Sequence, residues 1–240
     1  LLMFRLTKRL GMIIDSTAIV LKRFAYGETS IIARCFVKEI GKVSFMVHGA
    51  HRAKSSKAAY FQPANCIDIT FYFKENRDLQ TISKASFFKS WSVIPNDLKK
   101  IAYAMAIIEL TDKCISNNDP NKKLFNYLLE ALNTIENEKN ELNLIYWYYQ
   151  YQLLSQLGFK PNFNQNELDY FPLPDPFKTS NSKKIFSYFE NGANGRKNDI
   201  KLRSKDRKTI SEYLNTCLGI HFENLKNIKS LDILKSLSYY

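Results

Sequence analysis

The residues best suited to chemistry lie between Val43 and Lys57, VSFMVHGAHRAKSSK. His51, Arg52, Lys54 and Lys57 follow Gly49 with no acid among them, and the intervening residues are small: Ala50, Ala53, Ser55 and Ser56. Cations spaced by small residues let a backbone lie close to a large anion, which is what phosphate contact requires. The same stretch is equally readable as a solvated surface loop. Catalytic constellations are missing elsewhere. The three histidines are His48, His51 and His221, and no HxH, HExxH or DxD pattern offers a metal site. No GxxxxGK[ST], GxGxxG or GxSxG motif is present either. The chain therefore reads as a binding protein and not an enzyme, with no cofactor and no metal.

Charge supports that reading. Among 240 residues the formal net charge is +12, which favours a nucleic acid, an acidic protein or an anionic surface as partner. Residues 1–90 carry 15 Lys/Arg against 6 Asp/Glu, while residues 91–240 carry 20 against 17. The excess thus surrounds the basic stretch. Lys22, Arg23, Arg34 and Lys42 are its supporting cations, and Phe24, Tyr26, Tyr60, Phe61 and Tyr72 are its stacking candidates, each equally readable as a barrel plug. A second cluster, Lys201, Arg203, Lys205, Arg207 and Lys208, falls at a helix start; it reads first as a solvated helix start, although positive charge there opposes the helix dipole and makes an acidic partner the other reading. Cys35, Cys66, Cys114 and Cys217 have no ligand spacing and read as core thiols in a reducing compartment. No run of 18 apolar residues occurs, so no membrane span is expected. The opening LLMFRLTKRLG is too short and too interspersed with charge for a secretory signal, and residues 1–11 read as an over-extension of the reading frame.

The elements that must hold these residues follow from periodicity. Five strands are expected between residues 16 and 85: Thr17–Phe24, Ser30–Val37, one around Val43–Val47, one carrying Ile67, Ile69, Phe71 and Phe73, and Leu79–Ala85. Ile40-Gly41-Lys42 makes a hairpin of the second and third. Five strands with the longest connection between the third and fourth suit an OB-type barrel, although an SH3-like barrel or an open meander matches the count as well. After Pro95 the period becomes helical. Leu98, Ile101, Met105, Ile108 and Ile115 form one face interrupted by Asp112, and Asp119-Pro120 opens a second helix. A third runs from Glu141 to a stop at Gly158, and its Tyr146–Tyr151 aromatics read as packing more than as a stacking platform. A Pro-rich loop spans residues 161–182, Lys183–Glu190 is a short helix, and Ser204 caps a helix bearing Ile210, Tyr213, Leu214, Cys217 and Leu218, with a helical tail over residues 222–237. The fold class is α+β: an OB-type barrel at residues 12–88, then an all-α helical domain at residues 95–240.

With these residues laid out, the chain resembles the bacterial RecO family. AIVLKRFAYGETS at Ala18–Ser30 looks like its strand–turn–strand opening, and IGKVSFMVHGAHRAKSS at Ile40–Ser56 like its third strand and basic loop. FQPANCIDITFY at Phe61–Tyr72, LLSQLGFKPNF at Leu153–Phe163 and YLNTCLGIHFENLKNIKSL at Tyr213–Leu231 follow in the family's order. The resemblance implies a cytoplasmic, nucleoid-associated, non-enzymatic mediator of DNA repair and recombination. It would bind single- and double-stranded DNA, anneal complementary strands and help load recombinase on strands coated by single-stranded-DNA-binding protein. The implied partners are a RecR-like protein and the acidic C-terminal tail of the coating protein, the latter tested against Lys201, Arg203, Arg207 and Lys208. For DNA the implied contacts are Arg52, Lys54, Lys57 and His51, supported by Lys22, Arg23, Arg34 and Lys42. Two departures matter. The family's four-cysteine zinc site has no counterpart, since no cysteine lies between Cys114 and Cys217, and its double arginine is His51-Arg52 here. An OB-fold RNA-binding or ribosome-associated factor is the alternative, and a nuclease with dispersed carboxylates a third reading.

Overall fold

Alternation of side chains across β-strands explains the first half of the chain. A computed structural model describes residues 12–52, 55–161, 163, 173–192, 200–222, 225 and 230. In it β1 (Met12–Tyr26), β2 (Ser30–Val37), β3 (Gly41–Val47), β4 (Cys66–Phe73) and β5 (Leu79–Lys89) close a barrel in the order β1-β2-β3-β5-β4. The closure between β3 and β5 is parallel and short, from Ser44↔Leu79 to Met46↔Thr81. A four-residue helix, α1 (Lys57–Tyr60), occupies the connection between β3 and β4, as an OB-type barrel requires. The barrel interior is filled at every second position by Ala18, Val20, Ile31, Ala33, Cys35, Val37, Val43, Phe45, Val47, Ile67, Ile69 and Phe71. Phe61 enters this core fully buried, so it is a barrel plug and not a stacking residue. β1 outruns the expected strand at both ends and β5 at its end.

One face of the barrel is not left to water. In β1 Ala18 to Leu21 are all buried, because Ala18 and Val20 point inward while Ile19 and Leu21 meet helices. Those helices are α2 (Leu98–Cys114), α3 (Lys122–Asn137), α4 (Leu142–Gln156), α5 (Ser180–Glu190) and α6 (Ser204–His221). Their core is continuous with the barrel's outer residues Ile19, Leu21, Phe36 and Cys66, and Phe36 packs edge-on against Phe125 at 5.6 Å. The aromatics of α4 are core: Tyr146, Trp147, Tyr149 and Tyr151 are buried, and the Tyr149 hydroxyl lies 2.6 Å from Thr111 Oγ1. Burial pushes the Cys66 and Cys114 thiols up to about 12, which suits inert core residues.

Several helix details depart from the expectation. Leu98 is exposed, and the buried stripe of α2 runs through Ala102, Ala104, Ala106, Ile107, Ile108, Leu110 and Thr111. A face read from large apolar residues alone overlooked that alanines allow close helix approach. Asn121, not Asp119, caps α3 by accepting from Leu124 N at 2.9 Å. Asp119 is held instead against Gly41. That glycine has φ +97°, and a Cβ on it would lie 2.3 Å from the Asp119 carbonyl oxygen. α5 begins inside the expected loop, at Ser180 with a Thr179 capping box. Arg203 rather than Ser204 stands at the start of α6, its N–H donating to Asp206 at 2.9 Å. The expected tail over residues 222–237 lies almost wholly outside the described residues.

Candidate nucleic-acid interface

The basic loop projects from the end of β3. Gly49 takes φ +67°, a left-handed turn, and the Arg52 side chain folds back so that its Cδ lies 3.2 Å from where a Cβ on Gly49 would be. The loop is tied down at several points. His51 N donates to Thr29 O at 3.0 Å, which fastens it to the β1–β2 turn. Ser55 N donates to Arg52 O at 2.8 Å, and Lys57 Nζ reaches His48 O at 3.4 Å. His51, Arg52 and Lys57 are all exposed, and no ion pair among the described residues engages them. Lys54 lies outside the described residues.

The β1–β2 hairpin carries two further cations, on opposite faces. Its register shifts between Val20 and Lys22, a bulge at Leu21 that reverses which residues face outward. Lys22, Phe24 and Tyr26 consequently lie on the outer face, paired with Arg34, Ile32 and Ser30. Arg23 falls on the other side and donates to Ala58 O of α1 at 3.3 Å. Lys22 Nζ sits 4.9 Å from the centre of the exposed Phe24 ring. The end of the barrel beside the loop thus gathers Arg23, His51, Arg52 and Lys57, while Lys22 lies on the outer face of β1 beside Arg34.

Arg34 and Lys42 are placed differently. Arg34 donates to both carboxylate oxygens of Asp112 on α2, at 3.0 and 2.9 Å, with the carboxylate largely buried. Lys42 Nζ donates to the Asp112 carbonyl at 2.8 Å, and burial lowers its pKa. These two cations bind the helical domain to the barrel, and their charge is directed at Asp112. Asp112, read as a polar interruption, is the acid they need. A short range of sequence gives no signal for such a pairing across 78 residues.

Next to the loop a cleft of about 900 Å³ opens, lined by His48 and Lys57 and by Lys38, Lys84, Asp15 and Asp68. Its carboxylates already accept local hydroxyls: Asp15 from Thr70 at 2.5 Å, Asp68 from Thr17 at 2.9 Å, and Glu39, which also lines it, from Ser16. Mixed charge makes it a poorer phosphate track than the loop, yet Lys38 and Lys84 are cations that sequence reading passed over because each stands alone in its segment. The second basic cluster is only partly free. Arg207 pairs with Glu141 at 3.2 Å and Lys208 with Glu212 at 3.6 Å, whereas Lys201 and Arg203 are exposed. Among the described residues no group of His, Cys, Asp and Glu could hold a metal ion, and no helix is long and apolar enough to cross a membrane.

A closed OB-type barrel with a cationic end, backed by a helical domain, defines a class of nucleic-acid-binding protein. Comparison with known proteins narrows it. The model of the recombination protein O N terminus matches residues 12–91, and that of its C terminus residues 95–232. The chain therefore belongs to the RecO family of DNA repair proteins. It is 33% identical over 157 residues to the DNA repair protein RecO of Salinibacter ruber, an alignment covering 65% of this chain and 60% of the relative. Its likeness to the Bacillus pumilus protein of the same name is 28% over 253 residues, covering 94% and 97% of the two chains. For Flavobacterium johnsoniae the figures are 25% over 234 residues, with 93% and 98% covered.

Proposed function

We propose that this chain is a non-enzymatic mediator that binds DNA and anneals complementary single strands, helping to load recombinase on strands coated by single-stranded-DNA-binding protein. The observation that carries the reading is the exposed set His51, Arg52 and Lys57 on a loop fastened to the β1–β2 turn. Cations held on one barrel end neutralise phosphates of two strands together, which reduces their repulsion and raises their local concentration. Binding of this kind tolerates any base sequence and weakens with salt. A RecR-like protein and the acidic tail of the coating protein are the partners proposed, with Lys201 and Arg203 the freer cations for an acidic segment.

The test is annealing of two complementary fluorescent oligonucleotides across a salt series. Acceleration should fall at least about tenfold between about 50 and 200 mM salt, as release of counterions from a few phosphates dictates. It should be lost in a folded Arg52→Glu/Lys54→Glu/Lys57→Glu variant. No acceleration at any salt would sink the annealing reading, and a strong preference for RNA strands would redirect it.

A further inference from the structure

Phe24 is an apolar ring set in a ring of charge. It is 39% exposed, and Lys22 Nζ and Arg34 Cζ lie 4.9 and 5.7 Å from its centre. Lys22 and Arg34 are paired with one another across the β1–β2 ladder, two rows from Phe24↔Ile32 and on the same face. Both cations lie over the ring, yet it keeps more than a third of its surface exposed, and Tyr26, two residues on along the same strand face, is 54% exposed. A partly exposed aromatic ring on a cationic strand suits a planar, uncharged group attached to a phosphate chain. An unpaired nucleobase is that group, and a duplex hides it in the base stack.

Arg34 also faces the helical domain. Its guanidinium is held by both oxygens of Asp112, and Lys42 donates to the backbone carbonyl of the same residue. Asp112 thereby fixes where Arg34 stands relative to the ring and cancels a charge that would otherwise face a strand. Glu28, exposed at the hairpin tip, is the only acid in the Tyr26–Ser30 turn.

We propose that the helical domain tunes the barrel's strand-binding face through Asp112, which neutralises Arg34 and positions it beside Phe24, leaving that ring as the seat of one unpaired base. The inference rests on the DNA-binding reading above and adds to it a base-contacting residue and a positioning residue. It makes discrimination between single strands and duplex a property of Phe24, and the restraint on phosphate binding a property of Asp112.

The full chain is titrated with two single strands of equal length and charge, one carrying bases and one with an abasic tract, over a salt series. The wild type should prefer the strand with bases by about fivefold or more, the effect of one good stack. Phe24→Leu should erase that preference and leave the salt slope as it was. Asp112→Asn should raise affinity for both strands and steepen the slope by about 0.7 to 1.4, one or two added phosphate contacts. Adding Arg34→Gln to Asp112→Asn should reverse part of that gain, which separates a freed cation from a loosened fold. Circular dichroism and thermal melting confirm that each variant is folded. A wild type that binds both strands equally, or a Phe24→Leu variant that keeps the preference, overturns the stacking seat and leaves DNA binding standing. An unchanged slope in folded Asp112→Asn overturns the tuning. A wild type that binds neither strand at low salt overturns the proposed function itself.

Discussion

The basic loop and the seam between barrel and helices use the same residue types for opposite ends. His51, Arg52 and Lys57 stand exposed and in no ion pair among the described residues, while Arg34 and Lys42 are drawn into Asp112 and its carbonyl. Desolvation decides between the two fates. A partly buried cation costs free energy unless a carboxylate and hydrogen bonds offset it, so the seam supplies both. An exposed one stays solvated and mobile, ready to replace counterions on a phosphate. Counting positive charges along a strand therefore overstates the surface available to DNA; the neighbours of each charge set its role.

The comparison is broken most severely at Gly41. A methyl group there meets the Asp119 backbone at 2.3 Å on a left-handed φ. Gly41→Ala should destabilise the chain by about 3 kcal/mol, from strain and overpacking together, as read by denaturant midpoint. Strand binding by the loop should survive in whatever fraction stays folded. Asp112→Ala comes next. It leaves Arg34 partly buried without its carboxylate, at a cost of about 2 kcal/mol, and a double-mutant cycle with Arg34→Met should recover part of the loss.

A smaller effect lies in the connection between the two regions. The Glu136 carboxylate on α3 accepts from Ser92 N, Val93 N and Ile94 N at 2.7, 2.9 and 2.8 Å. Burial by itself would raise this acid, but hydrogen bonds from Ile94, Val93 and Ser92 hold it at about 2 against an ordinary 4.5. A folded-state pKa below the unfolded one means that its stabilisation is complete above about 4.5 and is lost as pH falls toward about 2. Glu136→Gln should therefore lower stability at neutral pH by about 1 kcal/mol and flatten the acid side of the stability curve. Wild-type and variant curves that run parallel down to pH 2 would show that this clamp carries nothing.

Much of the barrel was legible because a strand's pattern is local. Alternation from Ile67 to Phe73 names the strand and its inner face, and the structure puts Ile67, Ile69 and Phe71 in the core. The α4 stop at Gly158, φ +89°, was equally local. What escaped depends on distance. Ile19 and Leu21 are buried only because helices cover β1, and Asp112 becomes an anchor only when α2 lies against β2 and β3. Leu98 was misplaced inward because its residue type outweighed its position at the exposed start of α2. Of the cations chosen for DNA, His51, Arg52 and Lys57 are exposed, Lys22 lies over Phe24 on the outer face of β1, Arg23 is bound to Ala58 O, and Arg34 and Lys42 face the seam. Nothing in the local sequence separates these groups, since the partner that distinguishes them is supplied by the other domain.

The most direct test of that separation is the salt dependence of single-strand binding in two double variants, Arg52→Gln/Lys57→Gln and Arg34→Gln/Lys42→Gln. If the loop is the phosphate-contacting surface, the first should flatten the slope of log affinity against log salt by about 1.4, two contacts at about 0.7 each. The second should leave the slope unchanged and lower thermal stability instead. The reverse pattern, a flattened slope from the seam pair and none from the loop pair, would contradict the account.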